Sequence, residues 1–315
     1  MSRYTSILEL IGDTPMLDIS ELSPNPRVTI LAKLEGANPG GSVKDRAAKA
    51  MVEEAEKDGS LKPGQQILES SSGNTGIALA MIAKVKGYPL KVVLPDNVSV
   101  ERRQLLGVWG AEIIASPGSE GSNGAMRRAQ QLAAEHRDWW FPYQYANPSN
   151  PRAHYEGTGP EIWRDCPEIT HFVAGLGTAG TLMGVGRYLK ERNPEVQVWA
   201  VQPPAGEMVD GLKNLDEGFI PPVFTDNDGF DLLDRSKIVG PRESIEWTRR
   251  LAEVGVFAGI SSGAIMAAAA KCAAEIDEGT IVTMVCDGGW KYLSTEAWTG
   301  DIDEVTERAR SVIYF

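Results

Sequence analysis

Along most of the chain a short apolar run gives way to a Gly/Ser/Thr turn, and then to a stretch whose apolar positions recur every three or four residues. The first pattern fits a buried strand and the second a helix with one or more buried faces. It predicts strands over residues 28–34, 66–68, 91–94, 112–115, 171–174, 196–201 and 280–286. It predicts helices over 45–58, 76–86, 99–109, 124–137, 182–191, 242–253 and 263–274. Strands that alternate with helices imply an α/β chain of parallel sheets flanked by helices. Two regions break the rhythm. Residues 141–160 are crowded with Pro and Gly, and a crossing between two domains is expected near 145–150. Residues 203–235 are irregular and rich in Asp, Gly and Pro, as in a lid or a solvated surface loop.

Composition narrows the classes. At roughly 150 residues per domain, 315 residues suggest about two domains. Apolar residues are 42% and charged residues 23%, an ordinary globular balance. A net charge of −12 argues against general binding to nucleic acid or anionic membranes. The three cysteines, with no CxxC, suggest neither a disulfide framework nor a zinc site and fit a reducing cytoplasm. Apolar runs such as 77–83 are too short to span a bilayer, and the first residues do not read as a signal peptide. His136, His154 and His171 are scattered, with no metal-ligand spacing. Arg102-Arg103 and Arg127-Arg128 read as solvated helix faces.

Three turns share one design: Ser70-Ser71-Ser72-Gly73-Asn74-Thr75-Gly76, Gly175-Leu176-Gly177-Thr178-Ala179-Gly180-Thr181 and Gly259-Ile260-Ser261-Ser262-Gly263-Ala264. Each is read as following a strand and opening a helix, where free N–H groups and the helix dipole favour an anion. For any one of them an ordinary capped connection serves as well. Three together point to a small ligand with more than one anionic group, held at the carboxyl edge of a parallel sheet. The second turn spells GxGxxG, but the following strand ends at Gln202 rather than at the acid a dinucleotide site needs, so a dehydrogenase is disfavoured. Lys44 follows the turn Asn38-Pro39-Gly40-Gly41-Ser42-Val43 and starts a helix. There the dipole and Arg46 would favour its neutral, nucleophilic form, although this window taken alone favours an ordinary solvated lysine.

In combination these segments resemble the fold type II pyridoxal-phosphate enzymes, a tryptophan synthase β-like group of two α/β domains, and more narrowly the cysteine synthases. The likeness runs from Ile11-Gly12-Asp13-Thr14-Pro15 to Trp290-Lys291-Tyr292-Leu293-Ser294-Thr295, and the stretch Pro95-Asp96-Asn97-Val98-Ser99 with Cys286-Asp287 points to the B type. The resemblance implies a pyridoxal 5′-phosphate cofactor carried on Lys44. Asn74 would meet its ring hydroxyl oxygen, Gly177, Thr178, Ala179, Gly180 and Thr181 its phosphate, and Ser261 its ring nitrogen. Ala179 stands where the family usually has glycine. Ser71, Ser72, Gly73, Asn74 and Thr75, with Gln144, would bind the substrate carboxylate. The implied reaction is β-replacement of O-acetyl-L-serine or O-phospho-L-serine by a sulfur nucleophile, with Lys44 moving the Cα proton. A serine at the ring nitrogen in place of a carboxylate weakens the carbanion sink, which suits loss of a β-substituent.

Lys213 stands where some relatives place a phosphate-recognising arginine, and would serve the same end as a point charge. The apolar terminus, Ser311-Val312-Ile313-Tyr314-Phe315, could cover the cleft as related tails do, or fray, or meet a partner subunit. Sulfide, thiosulfate or a thiocarboxylated sulfur-carrier protein could supply sulfur, and a homodimer is implied. The smaller domain would span 40–147, and the larger 1–39 plus 148–315. Cystathionine β-synthase, serine/threonine dehydratase and a catalytically inactive regulatory binding protein are the alternatives.

Overall fold

A computed structural model describes residues 3–71 and 73–311. Among the described residues nine strands form two sheets. They are β1 (Met16–Asp18), β2 (Val28–Leu34), β3 (Ile67–Ser70), β4 (Leu90–Pro95), β5 (Glu112–Ser116), β6 (His171–Gly175), β7 (Gln197–Gln202), β8 (Arg235–Ile238) and β9 (Gly279–Val285). The larger sheet has the order β1-β2-β9-β6-β7-β8 and the smaller β3-β4-β5. Every pairing is parallel except β1 with β2. The seven strands predicted from the apolar runs are all present.

Two strands have no such signature. β8 reads Arg-Ser-Lys-Ile and is mostly exposed, and β1 is three residues long. Both lie at sheet edges, where pairing with an inner neighbour holds a strand that lacks an apolar face of its own. The Pro/Gly-rich stretch also departs from its reading as a turn region. It folds into Ser149–Ala153, a π turn at His154–Thr158, and Gly159–Asp165. Its glycines serve contact: a Cβ on Gly159 would lie 2.8 Å from the Tyr188 side chain. Within 203–235 only short helical turns form, at Leu215–Glu217, Pro222–Thr225 and Gly229–Leu232.

Each sheet has its own core. Ile30, Phe172, Val198, Leu182, Ile265 and their neighbours are buried around the larger sheet. Ile67, Val92, Val52, Leu79 and Ile82 are buried around the smaller one. The helix Ile260–Glu275 is apolar on nearly all sides because it lies inside the molecule. Gly263 lets it approach the helix Pro241–Glu253, since a Cβ there would sit 2.1 Å from Thr248 Oγ1. No helix among the described residues is long and apolar enough to cross a membrane.

Candidate active site

One cleft is lined from both sheets. Ser70, Ser71, Gly73, Asn74 and Thr75 line it from the end of β3, and Gly175 and Gly177 to Thr181 from the end of β6. Lys44, Gln144, Lys213, Ser261 and Cys286 complete the set. The residues singled out as site candidates, Lys44, Ser71, Gly73, Asn74, Thr75, Gln144, Gly177 to Thr181, Lys213 and Ser261, therefore meet at one place, and Ser72 lies outside the described residues. Residues 312–315 of the terminus also lie outside them.

The turn that carries Lys44 is shaped from within. Asn38 Nδ2 donates to the carbonyl oxygens of Glu35 and Ser42 and to Glu35 Oε2. Asp45 accepts from Gly40 N, and a Cβ on Gly40 would lie 2.6 Å from that carboxylate. Lys44 opens the helix Lys44–Asp58, and its amine makes no hydrogen bond or ion pair among the described residues. Burial pushes its pKa below the ordinary 10.5, while Cys286 and Asp287 pull the other way. The expectation that Arg46 helps to neutralise it is corrected here. Arg46 turns away to Glu35 and Glu161, at 2.7 and 2.6 Å, so its charge is spent inside the fold.

The β6 turn is a cradle of backbone. The helix Gly180–Arg192 starts with no capping side chain, which leaves N–H donors facing the cleft. Ala179 holds φ +68°, a left-handed conformation that costs a non-glycine residue roughly 1–2 kcal/mol. A Cβ on Gly177 would stand 2.5 Å from Gly211 O, and one on Gly180 2.0 Å from Asn150 Oδ1. Asn150, which the motifs did not flag, donates to Thr178 Oγ1 and to the Gln144 carbonyl, both at 3.0 Å. Thr75 Oγ1 donates to Gln144 Oε1 at 2.7 Å. Asn150, Gln144 and Thr75 thus tie the two donor turns together.

Asn74 is held by two charged groups that sequence reasoning missed. Its Nδ2 donates to Asp287 Oδ2 at 2.8 Å, and its Oδ1 accepts from Lys291 Nζ at 2.6 Å. Tyr292 OH donates to the same Asp287 oxygen at 2.6 Å. Burial lowers the pKa of Lys291, against the pull of Asp287 and Asp45. Of the third turn, Ser261 alone lines the cleft, while Ser262 Oγ accepts from Cys286 N. Burial pushes the Cys286 thiol up to about 12. Arg102 is a second correction. It is no solvated residue but is buried in the cleft wall, where it pairs with Asp210. Lys213 is half-buried, its ammonium 5.4 Å from the Tyr145 ring centroid and 5.5 Å from that of Phe219. Burial lowers its pKa, opposed by Glu217.

Glu69 lies directly behind the first turn. One carboxylate oxygen accepts from Ser70 N at 2.8 Å, and the other, Oε2, is buried with no partner among the described residues. Burial raises its pKa from 4.5 to about 8. The unfolded chain releases this proton near pH 4.5 and the folded one near pH 8, so stability falls as pH rises through that window. Glu69→Gln is expected to flatten this loss, and melting temperatures of the two proteins between pH 5 and 9 check it.

Comparison with known proteins agrees with this geometry. The family model for pyridoxal-phosphate dependent enzymes matches residues 7–287. The cysteine synthase B of Pseudomonas aeruginosa is 42% identical over 295 residues, covering 93% of this chain and 97% of its own. A cysteine synthase of Entamoeba histolytica superposes with a TM-score of 0.87 at 33% identity, covering 98% of this chain and 96% of its own. An O-ureido-L-serine synthase superposes with a TM-score of 0.88 at 39% identity, covering 95% of this chain and 96% of its own. The donor turns, the half-buried lysine and these likenesses agree: the chain belongs to the pyridoxal-phosphate dependent enzymes and, among them, to the cysteine synthases.

Proposed function

We propose that the cleft replaces the β-substituent of an O-activated L-serine with sulfur to give L-cysteine, and that Lys44 moves the proton. The observation that carries this reading is a half-buried lysine amine, without a polar partner among the described residues, where donor-rich turns from both sheets converge. The residues present fit the cofactor. Gly177, Thr178, Ala179, Gly180 and Thr181 would hold its phosphate on uncapped N–H groups, Lys44 would carry it, Asn74 would face its ring hydroxyl oxygen and Ser261 its ring nitrogen. When bound, pyridoxal phosphate supplies an electron sink for the charge that develops at the substrate Cα.

Ser71, Ser72, Gly73, Asn74 and Thr75 bind the substrate carboxylate in this reading, with Gln144 holding the turn in place through Thr75. Lys44, made more neutral by burial, takes the Cα proton and later returns it. The Cβ–O bond breaks and its electron pair leaves on the oxygen. Hydrosulfide then forms the Cβ–S bond, so that O-acetyl-L-serine and hydrogen sulfide become L-cysteine and acetic acid. Lys213 lines the cleft wall, and in this reading its charge would meet the O-substituent. Sulfide or thiosulfate serves as donor, with a thiocarboxylated carrier protein as the alternative. Residues 40–147 form the smaller unit, 1–39 plus 148–315 the larger, and two chains assemble as a homodimer. The test is chromatography of the protein incubated with pyridoxal phosphate, O-acetyl-L-serine and sulfide. Stoichiometric L-cysteine is expected, whereas pyruvate and ammonia without cysteine would mark a dehydratase.

A further inference from the structure

Four charged side chains line the cleft among the described residues: Lys44, Arg102, Lys213 and, as the one carboxylate, Asp210. Asp210 Oδ2 pairs with Arg102 Nη2, their side chains 7% and 3% exposed. The guanidinium also lies over the Tyr292 ring, 4.9 Å from its centroid. Asp210 is not on a loose strap. Gly211, with φ +79°, presses its carbonyl against Gly177, Leu212 N donates to Val209 O, and Lys213 N donates to Leu176 O at 2.7 Å. The carboxylate is thus built into the floor that also shapes the phosphate cradle.

A buried guanidinium in a cleft wall is a strong receptor for a planar or tetrahedral anion. Here its charge is already matched by a buried carboxylate. A phosphate entering beside it must displace Asp210 and strand that carboxylate in low dielectric, or else remain next to it and be repelled. An uncharged ester meets neither cost. Lys213 attracts a phosphate, but burial lowers its pKa and its ammonium is shared with two rings.

We propose that Asp210 is a specificity-determining residue, which masks Arg102 and so selects an L-serine with an uncharged O-acyl substituent over one with an O-phosphate. The inference rests on the β-replacement reading and narrows its substrate class. It works by an element set against the wrong substrate as much as by attraction to the right one.

The test compares kcat/KM for O-acetyl-L-serine and O-phospho-L-serine, with sulfide, in the wild-type holoenzyme and in Asp210→Asn. The wild type is expected to prefer the acetyl ester. Asp210→Asn is expected to move the ratio toward phosphoserine by about 30-fold or more, mostly through the KM for phosphoserine. Calorimetric titration of both holoenzymes with inorganic phosphate gives a readout apart from turnover, and Asp210→Asn should bind it at least about tenfold more tightly. A wild type that prefers phosphoserine overturns the inference even if the variant fails to fold. So does a folded Asp210→Asn whose substrate ratio and phosphate affinity are unmoved. Turnover of neither ester by the wild type overturns the β-replacement reading itself, and the inference with it.

Discussion

Lys44→Ala is expected to lose cysteine formation by at least about 10⁴-fold, because in the proposed mechanism a single amine both carries the cofactor and transfers the proton. Among the described residues no other lysine is placed to stand in. Lys291 is held by Gly41 O at 2.9 Å and Asn74 Oδ1 at 2.6 Å, and Lys213 lies between two aromatic rings on the wall. The readout is L-cysteine per enzyme under excess substrate, with the melting temperature taken to show that the variant folds. Borohydride reduction of the wild-type holoenzyme followed by peptide mapping should place the cofactor on the peptide that holds Lys44. Cysteine synthesis retained by the variant, or cofactor found on Lys291, would remove the assignment.

Arg46→Met is the second large effect, and it falls on stability. Arg46 Nε donates to Glu35 Oε2 at 2.7 Å and Nη1 to Glu161 Oε1 at 2.6 Å, while Nη2 reaches Glu35 Oε1, Glu161 Oε2 and Thr14 Oγ1. Lys33, fully buried, adds a contact to Glu161 at 2.9 Å. Removing the guanidinium leaves Glu161 with Lys33 and leaves the buried Glu35 with only the neutral donors Thr14 and Asn38, an expected loss of about 3–5 kcal/mol. The network joins the start of the Lys44 helix to β2 and to the helix Gly159–Asp165, so activity should fall with the fold.

The pH dependence has a definite sign. Burial alone would raise the Glu161 pKa, but Arg46 and Lys33 pull it from 4.5 down to about 2. A depressed carboxyl stabilises the fold above its unfolded pKa and loses that contribution as pH falls through the folded one. Wild-type stability should therefore decline between about pH 4.5 and 2, and Arg46→Met should show a shallower acid limb. Urea unfolding at several pH values measures both terms. An Arg46→Met protein as stable as the wild type would mean that the four charges do not act as a unit.

The inner strands were legible because each is an apolar run long enough to be buried on both faces. Val28–Leu34 was predicted to the residue. The edge strand Arg235–Ile238 was not, since nothing in Arg-Ser-Lys-Ile marks it until β7 lies beside it. Gly263 was grouped with the ligand-binding turns on its surroundings, yet in the fold it spaces two helices. Nothing in the polar helix around Arg102 signals burial, which comes from Asp210, 108 positions away, and from the Tyr292 ring.

The sequence by itself determined the alternation of strands and helices, the donor-rich turns and the lysine, because each is a local pattern whose physics acts within a few residues. The tertiary structure decided which charges share a space. Asn150 beneath Thr178, Asp287 and Lys291 on Asn74, and Asp210 on Arg102 are pairings between distant segments. A side chain's charge and hydrogen-bonding state depend on those neighbours and on its distance from water, and neither exists until the chain has folded.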